Sequence, residues 1–177
     1  MRLLGVMVVL AMTAQAGRAE EDALADAMAR NPERFETRAI DLIAGFGGPD
    51  GLRIAGIETH IALERAGARA SSLRRFLAID LDADGTVTRD ELAVSQRAAS
   101  AGGRGRMERQ FTAADADRNA AVDPAELSAT GAAAAQAALG EGEAGLLRAM
   151  LRLDADGDGA LTASEVSAAV ARLDEAS

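Results

Sequence analysis

The chain contains no cysteine, no tryptophan and no tyrosine, and its 177 residues include four phenylalanines, three prolines and a single histidine. Without cysteine there is no disulfide framework, no thiol nucleophile and no lipid-attachment site. A net charge of −9 with so few aromatics argues against nucleic-acid binding. The serines stand in no recognisable nucleophile context, and no phosphate-binding glycine loop is present. His60, in "IETHIALE", reads as an ordinary helix residue rather than a general base, so an enzyme using His60 is a disfavoured alternative. Lysine is also missing: all 19 basic residues are arginine. Scarce proline and abundant alanine suit helices.

Long apolar runs are equally scarce. The one that stands out, "LLGVMVVLAM" at residues 3–12, follows Met1 and Arg2 and precedes the small residues "AQA" at 14–16. It falls well short of the roughly 20 residues that span a bilayer as a helix. A positive start, a short apolar run and a small-residue cut site predict a signal peptide over 1–16, cleaved after Ala16. The expected location is the periplasm or the medium, with no membrane attachment after cleavage. The 161 residues that remain suffice for one extended or two small helical domains.

The acids are unevenly spread. Three windows, 80–91, 115–126 and 154–165, hold 13 of the 28 acidic residues and only two arginines. The rest of the mature chain carries 15 acids against 16 arginines and is nearly neutral. Like charges gathered in this way repel unless something cationic sits among them.

The windows read "DLDADGTVTRDE", "DADRNAAVDPAE" and "DADGDGALTASE". Oxygen-bearing side chains at alternate positions cannot converge on a helix, where residues two apart point to different sides. In a tight loop they can surround one ion. Calcium is large and hard and takes six to eight oxygens: side chains one, three and five, the carbonyl of position seven, and a bidentate glutamate at twelve. The ligands expected on this pattern are Asp80, Asp82, Asp84, Thr86 and Glu91 in the first loop. In the second they are Asp115, Asp117, Asn119, Ala121 and Glu126, and in the third Asp154, Asp156, Asp158, Ala160 and Glu165. Thr86, Ala121 and Ala160 would act through their backbone carbonyls. Gly85 and Gly159 at position six permit the positive φ of the turn, but the middle loop has Ala120 there. A left-handed alanine costs about 1–2 kcal/mol, or roughly a factor of ten in affinity. The expectation is two calcium ions, with a third held more weakly at 115–126.

The flanks agree with this reading. Leu146, Met150 and Leu153 precede the third loop on one helix face, Met107 and Phe111 precede the second, and Phe76 and Ile79 the first. Val87, Val122 and Leu161, each at position eight, suit a short antiparallel contact between paired loops. Thr88–Glu91 and Thr162–Glu165 have capping-box spacing, and Asp123 with Pro124 supplies a cap and a first-position proline.

In these features the chain resembles the EF-hand family of helix–loop–helix calcium-binding proteins. One repeat upstream, "GGPDGLRIAGIE" at 47–58 keeps Ile54 at position eight and Glu58 at twelve. It has glycine and proline at positions one and three, and is assigned no ion. The resemblance implies an all-α fold of EF-hand pairs, four hands in two lobes with short β contacts between paired loops. The expected order is an extension at 17–31, a first lobe at 32–97 pairing loop 47–58 with loop 80–91, a glycine-rich linker at 98–106, and a second lobe at 107–177 pairing loops 115–126 and 154–165. Leu24 and Met28 hint at a helix within the extension. The expected function is calcium binding that stabilises an exported protein and leaves room for calcium to tune contact with an unidentified protein partner. The alternative is a calcium sensor or buffer that exposes an apolar target-binding surface. Only Met28, Met107 and Met150 lie outside the signal segment, too few for a methionine-rich target groove.

Overall fold

Side chains that bond back to the backbone set several of the helix starts. The computed structural model describes residues 23–175, so the expected signal peptide at 1–16 lies outside the described residues. Helix α1 covers 23–30, with Leu24 and Met28 both buried. Asn31 then caps α2 (Pro32–Phe46), its Oδ1 accepting from the Arg34 amide at 3.0 Å, and Pro32 occupies the first turn, where a missing N–H costs nothing. Further on are α3 (Ile54–Leu77), α4 (Arg89–Arg97), α5 (Ala101–Ala114), α6 (Pro124–Ala138), α7 (Glu141–Ala149) and α8 (Ala163–Glu175). Helix α7 runs into a 3₁₀ turn, Met150–Leu153, so Leu153 lies on a tighter spiral than a continuous α-helix would give. Strands β1 (Val87–Thr88) and β2 (Ala121–Val122) have two residues each. The fold is mostly helical, with a short two-stranded sheet.

The chain divides into two compact units, one of residues 63–140 and the other of residues up to Ala62 together with those from Glu141 onward. In the first, β1 and β2 pair antiparallel, Val87 with Val122 and Thr88 with Ala121. Its core gathers Phe76, Ile79, Val87, Leu92, Phe111, Ala114, Val122 and Leu127, with Leu73 and Met107 packed against it. Full burial of a valine, leucine or phenylalanine contributes roughly 1.5–3 kcal/mol. A Cβ on Gly131 of α6 would lie 3.0 Å from Arg69 Cγ, so α3 and α6 approach closely there. Arg65 Nε donates to the Leu139 carbonyl at 2.9 Å, satisfying a free acceptor at the end of α6.

In the second unit α2 packs on α8, and Ser167 Oγ donates to Glu36. Leu52 and Leu161 form an antiparallel bridge, exchanging N–H···O bonds of 2.8 Å in both directions, and both are fully buried. Arg148 forks onto Glu58 at 2.6 and 3.1 Å, and Arg38 pairs with Glu143 at 2.7 Å.

Three expectations are corrected. Loop 80–91 pairs with loop 115–126, not with 47–58, and loop 154–165 takes the degenerate loop as its partner. The reason is local. Helix α3 leaves the degenerate loop and enters loop 80–91 without a break, so loops at its two ends cannot fold back onto each other. Between α4 and α5, by contrast, residues 98–100 make a tight connection within a pair. The expected linker 98–106 is therefore mostly helix: Ser100 caps α5 by accepting from the Gly103 amide at 3.2 Å, and Met107 and Phe111 anchor it to the core. The third correction is of register. The bridging residue of the degenerate loop is Leu52 rather than Ile54, and Ile54 already begins α3 with its side chain exposed. Counted from Leu52 as position eight, position twelve is Gly56 and not Glu58.

Candidate metal centre

Each acidic loop folds on its own carboxylates. The aspartate at position one accepts the amide of position six: Gly85 to Asp80 at 3.1 Å, Ala120 to Asp115 at 3.2 Å, Gly159 to Asp154 at 2.8 Å. Position three accepts the amide of position five, with Asp82, Asp117 and Asp156 receiving Asp84, Asn119 and Asp158 at 3.2, 3.0 and 3.1 Å. Position five accepts the amide of position seven at 2.7–2.8 Å in all three loops. Alternating carboxylates thus build successive local turns, and these aim the oxygens inward.

The glutamate at position twelve closes each loop. One of its oxygens takes the amide of position two: Leu81 to Glu91 at 2.7 Å, Ala116 to Glu126 at 2.7 Å, Ala155 to Glu165 at 2.8 Å. The other takes the amide of the helix cap, Thr88 at 2.8 Å, Asp123 at 3.1 Å and Thr162 at 2.9 Å. Because the same glutamate is the third residue of the outgoing helix, one carboxylate completes both a capping box and a loop. At Glu165 and Glu91 these bonds favour the ionised form. The Thr162 hydroxyl first, then the Thr162 and Ala155 amides, hold Glu165 down to a pKa of about 2, and the Thr88 amide, followed by the Leu81 amide, lowers Glu91.

Carboxylate oxygens of Asp80, Asp82 and Glu91 lie within 4.8 Å of one another, as do those of Asp115, Asp117 and Glu126, and those of Asp154, Asp156 and Glu165. Asp84 and Asp158 stand outside these trios, each tied to the amide two residues on. Thr86, Ala121 and Ala160 follow directly at position seven, where a backbone carbonyl would complete the set. The arrangement fits a hard cation. Among the described residues Asp80 Oδ1 is buried with no hydrogen-bond partner, an acceptor that an ion would satisfy, and Asp115 is buried, with only 7% of its surface exposed.

Position six has a left-handed backbone in every loop, with φ of 87° at Gly85, 68° at Ala120 and 81° at Gly159. Position four does too, at Ala83 (59°), Arg118 (60°) and Gly157 (76°), which sequence reasoning missed. The one signal for it was Gly157. Among the described residues, the degenerate loop has no such cluster. A Cβ on Gly56 would lie 2.4 Å from the Phe46 carbonyl, so the place of the closing glutamate is filled by backbone packing. His60 packs edge-on against Phe46, with ring centroids 4.9 Å apart.

Among the described residues, three loops of one build are each flanked by helices and each converge three carboxylates that could hold a metal ion, a helix–loop–helix arrangement. Residues 73–94 and 147–170 match the family model described as EF hand, and matches at both positions support membership of an EF-hand calcium-binding family. The 115–126 loop lies outside both matches. No curated protein and no solved structure matches the chain.

Proposed function

We propose that the protein binds calcium at 80–91, 115–126 and 154–165, and that the ions complete its fold. The observation that carries this reading is the convergence of three carboxylates in each loop, with a buried, unpartnered oxygen on Asp80. At ~5 Å, two carboxylates repel by about 1 kcal/mol even in a water-like dielectric. Each loop gathers three of them, so calcium converts a local cost into folding free energy. The N-terminal segment 1–16 supports export, and outside the cytoplasm calcium modules work at roughly 10⁻⁴–10⁻³ M. The role proposed is binding rather than catalysis, with calcium serving as structural support.

Calorimetric titration of the mature protein tests this, with Glu91→Gln, Glu126→Gln and Glu165→Gln made one at a time. Each change should remove one binding event, the weakest being that of 115–126. Circular dichroism and melting should show a looser protein in chelator. Identical melting with calcium and with chelator would sink the stabilising role, and an absence of binding heat would sink the sites.

A further inference from the structure

We infer that Arg53 is a resident cation of the degenerate loop that steadies loop 154–165 when calcium is absent and lowers that loop's calcium affinity. The inference rests on the calcium reading of 154–165. Arg53 follows the bridging residue Leu52, so it occupies the place held by Thr88, Asp123 and Thr162 in the intact loops. Those three cap the outgoing helix with a side-chain oxygen. Arg53 begins α3 in the same way, its carbonyl accepting from Gly56 at 2.9 Å, but a guanidinium has no acceptor with which to cap.

Its side chain reaches the partner loop instead. Arg53 Nη1 donates to the Asp158 carbonyl at 3.1 Å and lies 3.4 Å from where a Cβ on Gly159 would stand. Asp158 and Gly159 are positions five and six of the site. The backbone beside Arg53 is held to the same loop: Leu52 exchanges two bonds with Leu161, and a Cβ on Gly51 would lie 2.7 Å from the Leu161 carbonyl. The fixed charge is thus placed by the loop pairing and not by a free side chain alone. Among the described residues, Asp50 is the acid paired with it, at 4.0 Å, and is largely exposed. A guanidinium remains charged at all relevant pH. It shares the field of Asp154, Asp156, Asp158 and Glu165 with any dication that enters, and so it favours the calcium-free loop over the filled one.

The test uses the full chain carrying Glu91→Gln and Glu126→Gln, which leaves 154–165 as the binding loop. At low ionic strength Arg53→Gln should raise calcium affinity roughly two- to fivefold, as expected for one charge several ångströms from a dication, and Arg53→Glu should raise it further. Arg53→Lys should restore the original affinity. Added salt should shrink the differences. The calcium-free melting temperature should fall in Arg53→Gln while affinity rises. A purely structural role would lower both together and would overturn the inference, as would an unchanged affinity in Arg53→Gln. If the parent shows no binding that Glu165→Gln removes, the calcium reading of the loop fails and the inference falls with it.

Discussion

Ala120→Gly isolates the one residue that departs from the turn chemistry of the other two loops. Ala120 has φ 68°, where Gly85 and Gly159 have 87° and 81°, and its amide is already bonded to Asp115 at 3.2 Å. The left-handed conformation costs alanine about 1–2 kcal/mol, and glycine returns about 0.5–1 kcal/mol of that through a freer unfolded chain. The net gain is about 0.5–1 kcal/mol, or roughly two- to sixfold if it all enters calcium affinity. How it divides depends on when the turn forms. If the calcium-free loop already holds the turn, the gain appears as a higher melting temperature in chelator. If calcium imposes it, the gain appears as tighter binding. Calorimetry on Ala120→Gly with and without Glu126→Gln, beside melting in chelator, reads both. No gain in either would refute the strain argument and, with it, the expectation of a weaker site at 115–126.

Gly51→Ala tests the loop pairing. With φ 121° and a Cβ that would meet the Leu161 carbonyl at 2.7 Å, the substitution should weaken calcium binding at 154–165 at least tenfold and leave 80–91 alone, whereas pairing of neighbouring hands would move the loss to 80–91. Gly105→Ala, within α5, meets only the end of Arg109 at 3.4 Å; it should add up to about 1 kcal/mol and raise melting by a few degrees, which a flexible linker would not show. Glu108 pairs with Arg89, which also lies 4.4 Å over the Phe111 ring, and that guanidinium, helped by Gln96, lowers the carboxyl's pKa. A depressed carboxyl stabilises the fold above its unfolded pKa and loses that contribution as pH falls through the folded value. Glu108→Gln should therefore cost less than about 1 kcal/mol at pH 7 for so exposed a pair, and nothing once the carboxyl is protonated in a melting series at falling pH.

The local chemistry of the loops was legible in the sequence because it is written in residues close together. Thr88, Asp123 and Thr162 bond the glutamate three residues on, and Phe76, Met107 and Phe111 reach the core expected of them. What failed was long-range. The apolar residue at position eight shows that a loop pairs, but valine and leucine carry no address for the partner. That choice lay in the length of an unbroken helix: residues 54–77 contain no proline, and the glycines at 56 and 67 do not stop α3. "AASAGGRGR" misled for a related reason. Glycine lowers helix propensity by about 1 kcal/mol, but a serine cap and two anchored apolar residues downstream outweigh it. The register of the degenerate loop is hidden in the sequence because Ile54 and Glu58 have the spacing of positions eight and twelve, whereas Glu58 pairs with Arg148 instead of closing a loop.

The pairing also makes the two units unequal. Val87 meets Val122 across a local stretch, whereas Leu52 meets Leu161 across roughly three times as much chain, which adds about 1 kcal/mol of loop-closure entropy. The local pair sets two acidic loops side by side; the distant pair sets one against a loop without a carboxylate cluster. Binding energy is thus scarcest where closure costs most. As calcium is lowered to limiting levels, amide exchange should accelerate first in α2, α8 and the Leu52–Leu161 bridge, before the core around Phe76 and Phe111. Calcium should restore protection of the bridge only when Glu165 is intact. Uniform loss of protection across both units would contradict this, because a single cooperative fold would not register the difference in closure. Loop 47–58 has no carboxylate cluster among the described residues, yet it contributes a bridge, a glycine contact and an arginine to loop 154–165.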